Sequence, residues 1–473
     1  MNPKLITRRQ ALTRVSASLG SIALASVFKD AELLADDALN VGTHPVPKAK
    51  HVIQIFAEGG PSQVDTFDPK PALNELEGKL ASEVDKDYLK DIPKVASDMN
   101  RLNGLFFGSP FKFEKHGKSG IPVSDLFPKL AKQVDELCVI RSMHTKTSVH
   151  EPGQLMMNTG DQALVRPSLG SWAVYGLGSA NRNLPSFVAL HVNGKTSSGD
   201  KNWSNAFLPN WASGTGIKTN KMEVARMIEH LRSGSTSIRE QRRQLDLLAE
   251  INREHLKNRS GQKFLEGRMA SFETGFRMQV EASDAFDISR EPRHVRELYG
   301  DTQQGKQLML ARRLVERGVR FVQTWHGGWD SHEDNDNRHR KLATVEADQS
   351  LAALIQDLKQ RDLLKDTLVI WGGEFGRTPT TDVNGKRKIR GRDHNAGGFT
   401  IWMAGGGVKA GHIHGASDRY GAVATEGAMD VHDLHATILH LLGLNHEKLT
   451  YRHSGRDFRL TDVYGRVVKE ILA

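Results

Sequence analysis

Across residues 321–394, apolar β-type runs alternate with a helical run, and segments rich in carboxylates and imidazoles follow the apolar runs directly. Trp329-Asp330-Ser331-His332 comes after one run, Trp371-Gly372-Gly373-Glu374-Phe375-Gly376-Arg377-Thr378-Pro379 after the next, and Gly391-Arg392-Asp393-His394 lies beyond. Residues 319–324 and 367–371 read as strands, with helical spacing from Val345 to Leu358 between them. That order predicts a parallel, right-handed βαβ crossover. In an open α/β sheet, ligands bind in the crevice outside the carboxyl ends of the strands. The three segments are therefore expected to converge on one site.

Earlier stretches extend the same pattern. Residues 51–56 read as a first strand entering the turn Ala57-Glu58-Gly59-Gly60-Pro61-Ser62. Asp65 and Asp68 just beyond read as loop-capping residues. Residues 126–137 have helical apolar spacing and 137–141 read as a buried strand. The following loop carries Thr147, Ser148 and His150 into a helix, whose N-terminal amides favour an anion or a nucleophile. Further strands are expected at 184–192 and 399–404, and helices at 304–317 and 433–442, the last stopped by Gly443. From 220 to 283 the pattern is long, charged and leucine-spaced, so 190–300 reads as a helical insertion or cap.

The chain of 473 residues is 38% hydrophobic and 26% charged, enough for a large globular core. Residues 1–40 read as processing signal and linker, with 41–473 as one α/β domain. Arg8-Arg9 followed by a mild apolar run from Val15 to Phe28 resembles a twin-arginine export signal, which implies a periplasmic or extracellular protein. No later apolar run approaches a membrane span. Lysine and arginine number 65 against 56 acidic residues. Cleavage after Ala25 would remove Lys4, Arg8, Arg9 and Arg14, leaving a moderately basic protein. This balance favours anionic small molecules or polysaccharides as partners over nucleic acid. The single cysteine, Cys138, excludes an internal disulfide and cysteine-based zinc motifs.

Carboxylates and imidazoles at strand ends suit divalent cations, and a metal there would polarise a phosphate or sulfate ester. Five segments carry a closer likeness: E-P-R-H-V-R-E-L-Y-G, L-A-R-R-L-V-E-R-G-V-R-F-V-Q, G-G-W-D-S-H, G-E-F-G-R-T-P and G-R-D-H. They resemble the family catalogued as domain of unknown function 1501, over nearly all the chain after residue 50. Order and spacing also resemble the alkaline phosphatase superfamily, especially its sulfatase and cofactor-independent phosphoglycerate mutase branches. The resemblance implies an alkaline phosphatase-like three-layer α/β sandwich with a mostly parallel central sheet and a helical insertion.

By that resemblance, the first-strand metal carboxylate falls on Glu58. The nucleophile position falls on His150, with Ser148 or Thr147 as hydroxyl alternatives, and the activating arginine position falls on Gln154. Metal ligands fall on Asp330, His332, Glu374 and His394. The set implies two clusters, Glu58, His150 and Glu374 around one cation and Asp330, His332 and His394 around another, the ion being zinc, manganese, calcium or magnesium. Arg377 is either an oxyanion clamp or an ion pair fixing the Glu374 loop. The implied activity is metal-dependent hydrolysis of phosphate or sulfate esters without formylglycine, on an anionic ester or a sulfated or phosphorylated polysaccharide. The alternative is a non-catalytic protein of the same fold that binds carbohydrate or an envelope protein partner.

Overall fold

The computed structural model describes residues 44–85, 103–181, 183–192, 196–227, 237–257, 276, 284–381 and 390–473. The export-signal reading and the 228–236 and 258–283 parts of the long helical reading, apart from residue 276, fall outside them. The strands up to residue 414 are β1 (His51–Ala57), the hairpin β2 (Phe113–His116) and β3 (Ile121–Ser124), β4 (Leu137–His144), β5 (Phe187–His191), β6 (Thr215–Lys218), β7 (Phe321–His326), β8 (Thr367–Gly372), β9 (Gly376–Thr381), β10 (Arg392–Asn395), β11 (Phe399–Ala404) and β12 (His412–His414), and short strands follow, of which Met429–Asp430 pairs with β4.

The central sheet runs β12-β4-β11-β8-β1-β7-β5-β6. Along this order only β11 is antiparallel to its neighbours. β7 and β8 flank β1, both parallel to it, so the connection between them crosses over β1. The strands of β1, β7 and β8 are buried nearly throughout, which is why they read as continuous apolar runs rather than as alternating ones.

Alternate residues feed two cores. Ile53, Ile55, Val322 and Val369 pack with Leu308, Leu314, Leu351 and Leu354 of helices Gln303–Glu316 and Asp348–Gln360. Val52, Phe56, Phe321 and Ile370 pack on the other face with Met157, Trp172 and Leu434, from helices His150–Thr159, Leu169–Leu177 and Val431–Leu441. Helices thus cover both faces, the three-layer α/β sandwich expected.

Details differ at edges. The helical spacing at 126–137 forms a 3-10 helix, Leu130–Glu136, and the strand expected at 319–324 lies two residues later, because Gly318 turns the chain at φ +85 and Val319 is still in the turn. Within 190–300, Thr215–Lys218 joins the sheet as its edge strand, and the helix Ile238–Lys257 follows. Cys138 is buried in β4, its thiol pushed up to about 12 by burial, which leaves it inert. No helix among the described residues is long and apolar enough to cross a membrane.

Candidate metal and ester site

β1, β7, β8 and β4 run in the same sense, so Glu58, Asp330, Glu374 and the His150 loop all follow carboxyl ends on one edge of the sheet. His394 arrives from a different direction, on the two-stranded ribbon of β9 and β10, where it pairs with Arg377. A register shift between Arg392 and His394 interrupts that ribbon, a device that re-aims side chains.

Asp330 is the centre. Its Oδ1 lies 3.0 Å from His332 Nε2 and 3.1 Å from His394 Nε2, and those two nitrogens are 2.8 Å apart. Its Oδ2 lies 3.4 Å from His150 Nε2, whose Nδ1 is 2.6 Å from Glu374 Oε1. His150, Asp330 and His394 form one ligand-capable group, and His332, Asp393 and His394 form a second that shares His394. Only His150 of the set expected with Glu58 and Glu374 enters these groups, where it joins Asp330 and His394 of the other set. Asp393 was not singled out from sequence, although it sits beside His394.

The electrostatics are those of a site built for a cation. Burial favours the neutral form of His150, but Asp330 and Glu374 outweigh it and raise the imidazole to about 9. Burial likewise opposes ionisation of Asp330, yet the three imidazoles against it and the Arg377 charge hold it far below the usual carboxylate range. His394 is the reverse case, lowered to about 4 by burial, so its ring is neutral near pH 7. Its Nδ1 donates to the Ser148 carbonyl at 2.7 Å, which fixes the tautomer and leaves Nε2 as an acceptor, 2.8 Å from His332 Nε2. The buried Nε2 of His150 makes no hydrogen bond. Three imidazoles and two carboxylates within ligand range suit zinc or manganese, and a cation bound there would displace the His150 proton, so these residues fit a divalent cation.

Glu374 is fully buried and accepts the Gly59 N–H at 3.1 Å. Glu58 stands at the rim, where Gln154 donates to it at 2.9 Å and the Ser197 amide at 3.3 Å. Burial raises Glu58, helped by the charge of Glu374 and opposed by the Gln154 hydrogen bond. Thr147 Oγ1 accepts the Val149 amide at 3.2 Å, and Ser148 contributes its carbonyl to His394.

Arg377 is fully buried. It donates to the carbonyls of Gly60 at 2.9 Å and Arg392 at 3.2 Å, to Gly59, and to Asp330 Oδ1 at 2.6 Å. Its ion pair is with Asp330, and the guanidinium ties the loops after β1 and β7 to the ribbon. A second arginine, Arg392, is held bidentately by Asp65 at 2.7 and 3.1 Å, both groups having no exposure. Asp65 also accepts from Ser62 at 2.6 Å and Asn335 at 3.1 Å. The expected loop cap is instead the buried anchor of the His394 ribbon, a role invisible until Arg392 is folded onto it.

Arg392, with its hydrogen bonds to Asp65, holds the Asp65 carboxyl down to about 2 although burial alone would raise it. The ordinary value is 3.8, so this stabilisation is complete above that pH and is lost as pH falls from 3.8 toward 2. Urea unfolding across that window should show stability declining, with a shallower decline in Asp65→Asn.

Glycines allow the loops to meet. A Cβ on Gly59, whose φ is +113, would lie 2.4 Å from the Asp330 amide nitrogen. A Cβ on Gly391 would lie 1.8 Å from the His332 carbonyl oxygen. Both neighbours are backbone, so neither can swing aside. Gly391→Ala should therefore push the ribbon away from His332 and weaken metal uptake by about 10-fold or more, measured by titrating the purified variant with Zn²⁺.

A family model described as "Protein of unknown function (DUF1501)" matches residues 49–472. No curated protein matches the chain. Among solved structures, the lipoteichoic acid synthase LtaP from Listeria monocytogenes is similar at 10% identity and TM-score 0.37, over 91% of this chain and 80% of that one. A protein in the alkaline phosphatase superfamily from Vibrio parahaemolyticus is similar at 9% identity and TM-score 0.33, over 89% and 76%. The PsFucS1 sulfatase from Pseudoalteromonas sp. is similar at 12% identity and TM-score 0.30, over 88% and 72%.

Proposed function

We propose that this chain, which belongs to the family described as protein of unknown function DUF1501, is an exported metal-dependent hydrolase of phosphate or sulfate esters. The observation that carries the reading is two ligand-capable groups at the carboxyl edge of the sheet, His150, Asp330 and His394 in one and His332, Asp393 and His394 in the other, joined through His394. A divalent cation bound there supplies Lewis acidity toward an anionic ester oxygen and offsets the carboxylate charge. His394 belongs to both groups, and Asp330 also lies 3.0 Å from His332 of the second. His150, fixed by Glu374 through Nδ1, presents Nε2 either to the cation or to the reacting ester. Its helix, His150–Thr159, directs its N-terminus at the same place and favours the anionic group. Arg377 keeps the loops in register and is spent on that task.

The excess of basic residues suits an anionic substrate such as a sulfated or phosphorylated polysaccharide, and the twin-arginine segment suits a periplasmic or extracellular location. One observation favours the second reading, a non-catalytic protein that binds carbohydrate or an envelope partner. Gln154, at the position of the activating arginine, is engaged by Glu58 rather than free for substrate. Turnover of aryl phosphate and aryl sulfate esters by metal-loaded protein separates the two: hydrolysis of either ester supports the enzyme, and a metal-loaded protein inert toward both favours the binding protein.

A further inference from the structure

The helix that delivers His150 carries a polar stripe that continues inward. His150, Gln154 and Asn158 are spaced i, i+4 and i+8, so they lie on one face, one turn apart. Each meets a different partner. His150 bonds Glu374, Gln154 Nε2 donates to Glu58 at 2.9 Å, and Asn158 Oδ1 accepts from Gln323 of β7 at 2.7 Å. The amides are also linked to one another. Asn158 Nδ2 donates to Asn202 at 3.0 Å, while Gln154 Oε1 accepts from the Ser198 amide at 3.3 Å and from Asn202 at 3.4 Å. Gln323 donates to Gln54 of β1 at 3.1 Å and accepts from Trp325 at 3.1 Å.

Gln154 and Asn202 have no exposure, Asn158 and Gln323 have 1% each, and Gln54 has 6%. An apolar core would be simpler to build here, since a buried amide is tolerated only when its hydrogen bonds are met. The chain of amides runs from the middle of the sheet and ends on one functional group, the Glu58 carboxylate. Nothing else in the described site fixes the side chain of Glu58 apart from Ser197.

Resting on the metal-site reading above, we infer that Gln154 is a positioning residue: it fixes the Glu58 carboxylate at the rim of the site, and the amide chain behind it ties that position to β1 and β7. The variant that isolates this role is Gln154→Glu. It keeps an acceptor for Ser198 and Asn202 but replaces the donor to Glu58 with a second carboxylate. Its partner is Glu58→Gln, and the double variant exchanges donor and acceptor across the same contact.

The test is calorimetric titration of the four full-length proteins with Mn²⁺ and, separately, Zn²⁺, with urea unfolding alongside. Gln154→Glu should weaken metal binding by about 10–100-fold, and in the Glu58→Gln background the same change should add nothing. Equal binding by Gln154→Glu and wild type overturns the inference, as does an equal loss in both backgrounds, which would mark a structural role acting independently of Glu58. Should Gln154→Glu not fold, Gln154→Met, close in volume and uncharged, is judged by the same criteria. Wild type that binds neither ion overturns the metal reading and this inference with it, whereas wild type that binds while Gln154→Glu binds equally overturns the inference alone.

Discussion

Asp330→Asn is expected to fold and to lose its metal. The substitution preserves shape and leaves an amide oxygen to accept from Arg377, so the loop ties survive. It removes the charge that His150, His332 and His394 all face, at 3.4, 3.0 and 3.1 Å. Loss of a supporting hydrogen bond typically costs a metal site roughly 10–100-fold in affinity, and loss of the shared carboxylate should exceed that. Ester turnover should fall in parallel, and circular dichroism should remain that of wild type. Unchanged metal affinity in a folded Asp330→Asn protein would remove Asp330 from the centre of the site.

The largest effect on stability is expected from Arg392→Met. Arg392 and Asp65 have no exposure, so solvent does not screen the pair. Removing the cation leaves the Asp65 carboxylate buried with hydrogen bonds from Ser62 and Asn335 and no arginine among the described residues to balance its charge. Breaking one side of a buried pair costs about 3–5 kcal/mol, which urea unfolding would read directly. Adding Asp65→Asn should recover part of the loss, because the uncompensated charge is then gone. The same pair anchors Asp393 and His394, so the single variant should also bind metal less tightly. A destabilisation below about 1 kcal/mol, the range of an exposed pair, would contradict this account of the anchor.

What sequence disclosed divides along physical lines. β1, β7, β8 and β11 were legible because strands buried on both faces are unbroken apolar runs bounded by turn residues. Asp330, His332 and Glu374 stand within a few residues of such runs, whereas His394 came from the resemblance alone. Their convergence depends on strand order, which places β1 between β7 and β8 and brings a separate ribbon over the edge. Whether Arg377 faces substrate or its own loops is a matter of direction, and spacing carries no direction. Asp65 and Arg392 are 327 residues apart in sequence and meet only in the fold. Asn158 and Gln323 have the same history, although the repeat of His150, Gln154 and Asn158 at helical spacing was a readable signal of a polar face turned inward.

The measurement closest to the central claim is the metal content of purified wild-type protein after equilibration with Zn²⁺ or Mn²⁺ and removal of free ion, compared with His394→Ala. His394 belongs to both ligand-capable groups, so its loss should affect the whole cluster. The account predicts at least one tightly held divalent ion per wild-type chain and little or none in a folded His394→Ala chain. Wild type that retains no ion, or His394→Ala that retains as much as wild type, would contradict it.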